Sequence, residues 1–370
     1  RRLSSFIRWK FRYNYICSRA SSKNNLWKKK KLIISDVTLR DGNHAVNHSI
    51  SKDIIKKYCL QIEKANIKIV EVGHGNGLGA SSLAIGRSAI SDKVAFQTAR
   101  ENLKKSKLSV HSIPGFSRID DIRLAIDCGV DIFRIGTNAT EIDTTYSQIN
   151  FCIKKKVEVW GVLMMAHLVF NKKKEYLNKV QFLVDQGVDT VIIMDSAGIF
   201  LPKDIEEIFS NIKNKFKINL GFHGHNNFGN AIWNSIVAFQ NGAEIIDASI
   251  KGFGAGAGNT QLDILITVLE RLGIATNIDL HKLYNLAKIF PTFFKDKKIK
   301  YSNPYSEPKN IMSANFGLFS GFASKVDYYS KKFALNDIEA FKKIGERKLV
   351  AGQEDLIFNV LYNLKNEKKK

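Results

Sequence analysis

The 370-residue chain contains no run of about 18 consecutive apolar residues, the length that a helix needs to cross a lipid bilayer. We therefore expect no membrane span. Cysteine is also scarce, because only Cys17, Cys59, Cys128 and Cys152 occur and none has a CxxC spacing. Each is expected to be a small buried or half-buried hydrophobic residue. This cysteine usage favours a reducing compartment over secretion, and we expect a cytoplasmic protein.

Acidic residues are few: 35 Asp and Glu stand against 57 Lys and Arg, which gives a net charge of +22. Such an excess can indicate binding to nucleic acid or to acidic membrane surfaces. The lysines, however, occur in short clusters dispersed along the chain, and Lys far outnumbers Arg. This pattern is typical of solvated faces, so we expect no nucleic-acid partner.

The first 31 residues contain no acid at all, but they contain eleven Lys or Arg with several interleaved aromatic residues. We interpret residues 1–31 as a basic N-terminal extension that is flexible or docked on the surface. An Arg-rich, acid-poor organelle-targeting peptide is the alternative, and it would place the protein in an organellar matrix.

From residue 32 onward, short Val- and Ile-rich runs alternate with stretches of helical periodicity. Several predicted helices end in glycine before the next strand, at Gly129, Gly187 and Gly242, as C-caps do. Eight such alternations over about 250 residues predict an α/β fold, a (β/α)₈ TIM barrel. An open doubly wound sheet is the rival, but no GxGxxG follows the first strand. The predicted strands are 32–37, 68–73, 108–113, 131–135, 157–164, 190–194, 218–222 and 244–248.

The alternation stops near residue 280, and the remainder has helical periodicity only. We predict a catalytic barrel over residues 32–279, a smaller C-terminal helical domain over residues 280–364, and an exposed Lys-rich tail over residues 365–370. A helical addition of this kind commonly acts as a lid, a partner contact or a dimerisation element.

Arg40, Asp41 and His44 occupy a five-residue stretch that follows the first predicted strand. A fixed cation, a carboxylate and a titratable imidazole at a strand end suit an anionic, oxygen-rich substrate. A polar turn with one helix-capping Asp is the plain alternative. Because functional groups of a barrel gather at the C-terminal ends of its strands, other polar residues at such ends are also candidates. They are His74, His111, His167, Asp195, Ser196, His223 and His225.

His223 and His225 are spaced i, i+2 on a predicted strand, so they project to the same side. Together with the distant Asp41 they predict a His₂-carboxylate metal site with open positions. The glycine-rich segment 251–259 follows the eighth strand. Its backbone amides could bind an anion, or it could simply make a tight crossover, and Asn259 at its end could add an oxygen ligand to the metal.

Taken together, these pieces resemble the 4-hydroxy-2-oxovalerate aldolase family of pyruvate-dependent metal aldolases. The superfamily also contains HMG-CoA lyase, isopropylmalate synthase and homocitrate synthase. The pieces that carry the resemblance are VTLRDGNHA at 37–45, VEVGHGNGL at 70–78, GVLMMAH at 161–167, MDSAG at 194–198, HGH at 223–225, GAGAGN at 254–259 and VAGQED at 350–355. The first and fifth of these mark the superfamily only, whereas the second, third and last point to the aldolase branch.

The resemblance implies a lyase of carbon–carbon bonds in which Asp41, His223 and His225 hold a divalent metal. Mn²⁺ is the expected ion, with Mg²⁺ or Co²⁺ as alternatives, because the donors are mixed nitrogen and oxygen. The metal would chelate a 2-oxo acid and stabilise the enolate formed on cleavage. The other implied roles are charge stabilisation on the keto oxygen by Arg40, carboxylate binding by Ser196 and general-base catalysis by His44.

Two positions depart from the family pattern. Phe319 stands where these aldolases supply a Tyr to the site, so a hydroxyl is missing. His111 stands in a segment that is Leu-rich in the family, which predicts a more polar pocket wall. Both positions are expected to line the substrate site, on the aldehyde side.

An acyl-CoA-using Claisen enzyme on the same barrel is the alternative function. For the aldolase, the resemblance implies a small-molecule 2-oxo acid substrate, a role of the kind found in aromatic catabolism, and an acylating acetaldehyde dehydrogenase as partner. An oligomer is expected.

Overall fold

The computed structural model describes residues 31–294 and 308–367, so the predicted extension over residues 1–31 lies outside the described residues except for Lys31. Eight parallel strands, paired in sequence order, form a closed barrel in which β1 also pairs with β8. The predicted (β/α)₈ fold is confirmed. All eight predicted strands are present, with ends that differ from the prediction by at most three residues. Their bounds are β1 Ile33–Leu39, β2 Ile69–Val72, β3 Lys107–Ser112, β4 Ile132–Asn138, β5 Glu158–Met164, β6 Thr190–Asp195, β7 Asn219–Gly224 and β8 Ile245–Ala248.

Helices follow the strands and surround the barrel. The predicted C-cap glycines all adopt positive φ, with values of 81° at Gly129, 79° at Gly187 and 110° at Gly242, as a helix-ending αL residue does. The helices of residues 31–294 are α1 Lys52–Lys64, α2 Asp92–Asn102, α3 Ile119–Asp127, α4 Tyr146–Lys154, α5 His167–Phe170, α6 Lys173–Asp185, α7 Pro202–Lys215, α8 Ala231–Gln240, α9 Leu262–Arg271 and α10 Leu280–Ile289.

The strand side chains alternate between two apolar clusters. One set, which includes Val70 and Phe133, packs outward against the helices. The other set faces into the barrel and fills its lower part, with Trp160 almost fully buried among isoleucines. Further toward the C-terminal ends of the strands, the inward positions are polar. The site described below therefore stands on a closed apolar floor.

The C-terminal helices form their own apolar core, which includes Phe322, Phe341 and Leu361. Helix α10 instead contributes Leu283 and Leu286 to the core around the barrel, and the domain boundary at 280 stays a prediction. The helices are α11 Pro308–Asn315, α12 Ala323–Phe333, α13 Asp337–Glu346 and α14 Glu354–Glu367, the last extending three residues into the predicted tail. Across the two described stretches, none of the helices has both the length and the apolar character of a membrane-spanning segment.

The C-terminal helical region contacts the C-terminal ends of the barrel strands. The backbone N–H of Ser320 donates to the carbonyl of Ser196 at 3.1 Å. The His167 ring pairs with the carbonyl of Gly317 at 3.2 Å. These contacts place the segment around residue 319 over the barrel mouth.

Candidate active site

A short 3₁₀ helix, Asp41–Val46, begins directly after β1 and carries Asp41 and His44 into the barrel mouth. Arg40, the residue before it, donates from Nη1 to Asp41 Oδ2 at 2.6 Å and from Nε to Glu71 Oε2 at 2.7 Å. All three charged side chains are buried. Burial alone would lower the pKa of Arg40, but the charges of Glu71 and Asp41 outweigh it and raise the pKa above its usual value. Arg40 Nη2 has no protein partner.

Asp41, His223 and His225 meet at the C-terminal ends of β1 and β7, with one ligand atom from each lying within 4.8 Å of the others. His223 Nδ1 is 2.9 Å from Asp247 Oδ2. The opposite ring nitrogen, Nε2, lacks a hydrogen-bond partner and lies 3.8 Å from Asp41 Oδ2. The ionised Asp247 can only accept, so Nδ1 donates this hydrogen bond, and Nε2 is the ring nitrogen that faces the carboxylate of Asp41.

The protonation states of these ligands suit a cation. Burial raises the pKa of Asp41, but the charges of Arg40 and of the nearby imidazoles outweigh burial and hold the pKa well below its usual range. Burial lowers the pKa of His225 to about 4. A carboxylate and a neutral imidazole, as at Asp41 and His225, are the forms in which these side chains bind a divalent metal. The unpartnered Nε2 atom of His223 and this donor set therefore fit a bound divalent cation.

The glycine-rich segment after β8 packs directly on this centre. The backbone N–H of Ala255 donates to Asp41 Oδ1 at 3.0 Å. A Cβ at Gly254 would lie 2.3 Å from Asn259 Nδ2 and 2.8 Å from Asp41 Oδ1, so only glycine fits between them. Asn259 Oδ1 has no hydrogen-bond partner although it is buried. The segment thus orients the carboxylate of Asp41 and leaves a free amide oxygen close to it.

His44 lies at the mouth of the site, partly exposed, with its ring centroid 6.3 Å from that of Phe319. A Cβ at Gly75 would lie 2.6 Å from the His44 ring, so the β2 loop packs flat against the imidazole. The loss of solvent lowers the pKa of His44, and Arg40 lowers it further, while Asp41 opposes both. His44 is therefore neutral at pH 7 and can accept a proton.

His111 and Ser196 come from separate parts of the barrel wall, β3 and the end of β6. His111 lies on β3 in register with Arg134 on β4, almost fully buried, and both of its ring nitrogens lack partners. Ser196 follows β6, whose end pairs with β7 at Met194–His223. Its hydroxyl oxygen accepts from the backbone N–H of Met165 at 2.9 Å, which leaves the hydroxyl proton available for another acceptor.

His44 and Phe319 line a cavity of about 930 Å³, and so do Gly254 and Ala255, which pack on Asp41. Candidates from β1, the β8 loop and the C-terminal region thus meet around this cavity, and the buried metal ligands lie behind its wall. Asp195 and His167, also proposed from the sequence, instead make structural contacts. The Asp195 carboxylate accepts backbone N–H groups of the following turn, and His167 holds the C-terminal segment.

His48 and His74 form a second feature of the mouth. Their rings stack with centroids 3.6 Å apart. Backbone N–H groups donate to both: Gly75 to His48 Nδ1 at 3.3 Å, and Asn76 to His74 Nδ1 at 3.0 Å. His74 Nε2 in turn lies 3.1 Å from the carbonyl oxygen of Gly86. The pair therefore fastens the β2 loop beside His44. His48 went unrecognised in the sequence, although its spacing of four residues from His44 was a usable signal.

This pair predicts a pH dependence of stability. Burial, with the neighbouring imidazoles, lowers the pKa of His48 to about 3, and burial lowers that of His74 to about 4, from 6.5. Folding therefore requires both to be neutral. The two neutral histidines contribute fully to the free energy of unfolding above about pH 6.5. This contribution is lost as the pH falls toward their pKa values in the folded protein, about 3 and about 4. We expect the unfolding free energy, measured with urea, to drop less between about pH 7 and about pH 5 in His48→Gln/His74→Gln than in wild type. An equal drop would contradict this. The exposed His281→Gln is the control.

Charged residues inside the strands were also missed. Glu71 on β2, Arg134 on β4 and Asp247 on β8 face the barrel interior beneath the metal ligands, and all three are buried. The sequence offered a signal, because each is a single charge within an apolar strand. Burial raises the pKa of Asp247, but Arg134 and the hydrogen bond from His223 outweigh it and lower the pKa to about 2.

Comparison with known proteins agrees with this architecture. Residues 31–290 match the family model described as HMGL-like, and residues 304–366 match the one described as DmpG-like communication domain. Among solved structures, the N-terminal domain of a Bacteroides vulgatus protein superposes with a TM-score of 0.69 at 25% identity, covering 81% of this chain and 98% of that one. The carboxyl transferase domain of Rhizobium etli pyruvate carboxylase superposes with a TM-score of 0.76 at 13% identity, covering 92% of this chain and 62% of that one, which is a likeness of fold alone.

Curated relatives named 4-hydroxy-2-oxovalerate aldolase match nearly the full chain. The relatives from Pectobacterium atrosepticum and Spirochaeta aurantia are each 44% identical over 336 residues, which is 90% of this chain and 96% of theirs. The relative from Burkholderia pseudomallei is 41% identical over 91% of this chain and 95% of its own. With this identity over nearly the whole chain and the HMGL-like match over the barrel, the chain belongs to the 4-hydroxy-2-oxovalerate aldolase family of HMGL-like proteins.

Proposed function

We propose that this protein is a divalent-metal-dependent aldolase that cleaves a 4-hydroxy-2-oxo acid, such as 4-hydroxy-2-oxovalerate, to pyruvate and an aldehyde. The observation that carries the proposal is the meeting of Asp41, His223 and His225 beside Arg40, with a neutral His44 on the wall of the adjoining cavity. A metal-ligand set, a fixed cation and a base are the three functions that cleavage through a pyruvate enolate requires.

Asp41, His223 and His225 would hold the cation, with the amide oxygen of Asn259 as a further donor. We propose Mn²⁺, because two imidazoles and carboxylate or amide oxygens form a mixed donor set, and Mg²⁺ and Co²⁺ are the alternatives. When bound, the cation acts as a Lewis acid toward the carboxylate and keto oxygens of the 2-oxo acid. Asp41 and His223 would also contact a substrate bound at this cation.

Arg40 is placed to stabilise negative charge on the C2 oxygen. Asp41 and Glu71 fix its Nη1 and Nε atoms, so the unpartnered Nη2 is presented in a set direction and can donate to a developing oxyanion. The free hydroxyl proton of Ser196 can bind the substrate carboxylate. Because Arg40 is buried and permanently charged, it needs no reorganisation as the charge develops.

His44 serves as the general base. Its neutral imidazole accepts the proton of the C4 hydroxyl, the C3–C4 bond breaks, and the aldehyde carbonyl forms at C4. The bonding electrons pass to C3 and the C2 oxygen as the pyruvate enolate, which becomes pyruvate when C3 takes up a proton. In the direction of synthesis, His44 returns its proton to the new alkoxide.

His111 and Phe319 are proposed to contact the aldehyde half of the substrate. The His111 ring nitrogens are buried without partners, so they can hydrogen-bond a polar group there. Phe319 packs edge-on near His44 but brings no hydroxyl. We therefore infer that the pocket accepts, besides the methyl group of 4-hydroxy-2-oxovalerate, an aldehyde side that is more polar than a small alkyl group.

Phe319→Tyr tests the missing hydroxyl. Since the ring lies beside His44, a tyrosine hydroxyl could hydrogen-bond the C4 oxygen, and one such bond corresponds to roughly 2- to 10-fold in rate. We expect kcat/KM for 4-hydroxy-2-oxovalerate to rise by about that factor, while Mn²⁺ affinity stays unchanged. Phe319→Leu, which adds no hydroxyl, should give no gain. A fall in kcat/KM for the Tyr variant would argue against this placement.

The activity itself is tested on a panel of 4-hydroxy-2-oxo acids with Mn²⁺. Pyruvate is followed with lactate dehydrogenase, and the aldehyde is quantified separately. We expect equal amounts of both products and no release of thiol from acyl-CoA. Thiol release without pyruvate would support the Claisen alternative and overturn the aldolase proposal.

For a partner, we propose an acylating acetaldehyde dehydrogenase that consumes the aldehyde. The support is the match of residues 304–366 to the DmpG-like communication domain and the position of Ser320 at the cavity rim. Co-expression with such a dehydrogenase should give a complex by size exclusion. Separate elution of the two proteins at micromolar concentration would contradict the pairing.

A further inference from the structure

Six charged or titratable side chains under the barrel mouth form a closed ring. Arg40 contacts Asp41 and Glu71, as described above. Glu71 Oε1 lies 3.3 Å from Arg134 Nη1, and Arg134 Nη2 contacts Asp247 Oδ2. Asp247 Oδ2 pairs with His223 Nδ1, and His223 Nε2 lies near Asp41, which closes the ring.

Within this ring, Arg134 contacts only Glu71 and Asp247, and neither of these is a proposed metal ligand. Its side chain is 0% exposed, and its guanidinium carbon lies 5.7 Å from the centroid of the Trp160 ring. The guanidinium also faces the carboxylates of Glu71 and Asp247, and its charge acts on the buried ring of His111 on the neighbouring strand. A buried arginine is costly to desolvate, and here it joins two carboxylates that serve different halves of the site.

We propose that Arg134 is a positioning residue that sets the geometry of both halves of the site at once. Through Glu71 it fixes the direction of Arg40, and through Asp247 it fixes the tautomer and ring orientation of His223. The part of this inference that concerns Arg40 rests on the proposed function. The part that concerns metal binding through His223 does not.

The physical reason is the planar geometry of the guanidinium. Two separate Nη atoms of one planar group face two carboxylates, Nη2 by a hydrogen bond to Asp247 and Nη1 by an ion-pair contact with Glu71, and a single ammonium group cannot reproduce this spacing. Substitution of the carboxylate that orients a metal-bound histidine typically weakens metal binding by about 10- to 100-fold. Displacement of Glu71 would free Arg40 Nε and allow Nη2 to turn away from the substrate oxygen.

The test compares the full-length variants Arg134→Lys, Glu71→Gln and Asp247→Asn with wild type. Two quantities are measured: the Mn²⁺ dissociation constant, from the electron paramagnetic resonance of free Mn²⁺, and KM for the best 4-hydroxy-2-oxo acid at saturating Mn²⁺. Arg100→Lys is the matched control, because Arg100 pairs with Asp131 at the opposite end of the strands. Thermal unfolding is recorded for every variant.

We expect Asp247→Asn to weaken Mn²⁺ binding by roughly 10- to 100-fold with little change in KM. Glu71→Gln should raise KM with little change in Mn²⁺ binding, and Arg134→Lys should change both quantities. Arg100→Lys should lower thermal stability at most. An Arg134→Lys protein that folds and retains wild-type Mn²⁺ affinity and KM would overturn the proposal.

Two further outcomes are decided by the same measurements. If Arg134→Lys does not fold, Glu71→Gln and Asp247→Asn decide the matter. A wild-type Mn²⁺ dissociation constant and a wild-type KM in both variants would overturn the proposal, and the separate changes predicted above would support it. If wild type cleaves no acid, the proposed function fails. The Mn²⁺ affinities of Asp247→Asn and Arg134→Lys still test whether Arg134 positions His223 for metal binding.

Discussion

His44→Ala is expected to lower kcat for aldol cleavage by about 10²- to 10⁴-fold, the range for loss of a general base. The Mn²⁺ dissociation constant should stay near the wild-type value, because His44 does not belong to the Asp41, His223 and His225 cluster. Steady-state pyruvate release and Mn²⁺ binding are measured on the same preparations. His281→Ala, on the exposed side of α10, is the control and should keep wild-type kcat.

The pH profile sharpens this prediction. Burial and Arg40 lower the pKa of His44 below 6.5, and the neutral form is the one that accepts the C4 proton. The activity of the wild type should therefore fall only when the pH drops below 6.5, the usual pKa of a histidine. His44→Ala should lack this acidic limb. A kcat within about threefold of wild type, with the limb intact, would remove His44 from the mechanism.

Asp41→Asn is expected to weaken Mn²⁺ binding by more than about 100-fold and to abolish detectable pyruvate release. This loss of affinity is larger than that expected for a residue that only hydrogen-bonds to a metal ligand. The change removes the anionic ligand while its Oδ1 can still accept from Ala255, so the loop after β8 should keep its place. The same change takes a carboxylate partner from Arg40. Both effects act in the same direction on the rate.

The control for this substitution is Asp120→Asn. Asp120 forms an exposed ion pair with Arg123 within one helix, and such a pair contributes little to stability. Wild-type activity is expected. If Asp41→Asn bound Mn²⁺ as tightly as wild type, Asp41 would not be a ligand, whatever its effect on the rate.

Much of the fold follows from the sequence because its signals are local. Val- and Ile-rich runs, helical periodicity and C-cap glycines each depend on a few neighbouring residues. The paired His223 and His225 and the cluster around Arg40 were also recognisable, since strand ends of a barrel converge. The closeness of Phe319 to His44 required the family resemblance, because the two lie 275 positions apart.

The ring beneath the site could not be predicted in the same way. Glu71, Arg134 and Asp247 lie on β2, β4 and β8, and their contacts depend on how the strands close around the barrel axis. A single charge in an apolar strand indicates an inward-facing polar position, but it does not indicate which other strand supplies its partner. The stacking of His48 on His74 likewise depends on the path of a loop.

The most direct test of the metal-dependent aldolase is a titration of metal-free wild-type protein with Mn²⁺, in which pyruvate release from a 4-hydroxy-2-oxo acid is recorded at each point. We predict negligible release without metal and a rise in proportion to bound Mn²⁺ that saturates at one ion per chain. Release that is equally fast in the metal-free protein would contradict the central claim, and so would Mn²⁺ binding at one ion per chain with no release from any acid of the panel.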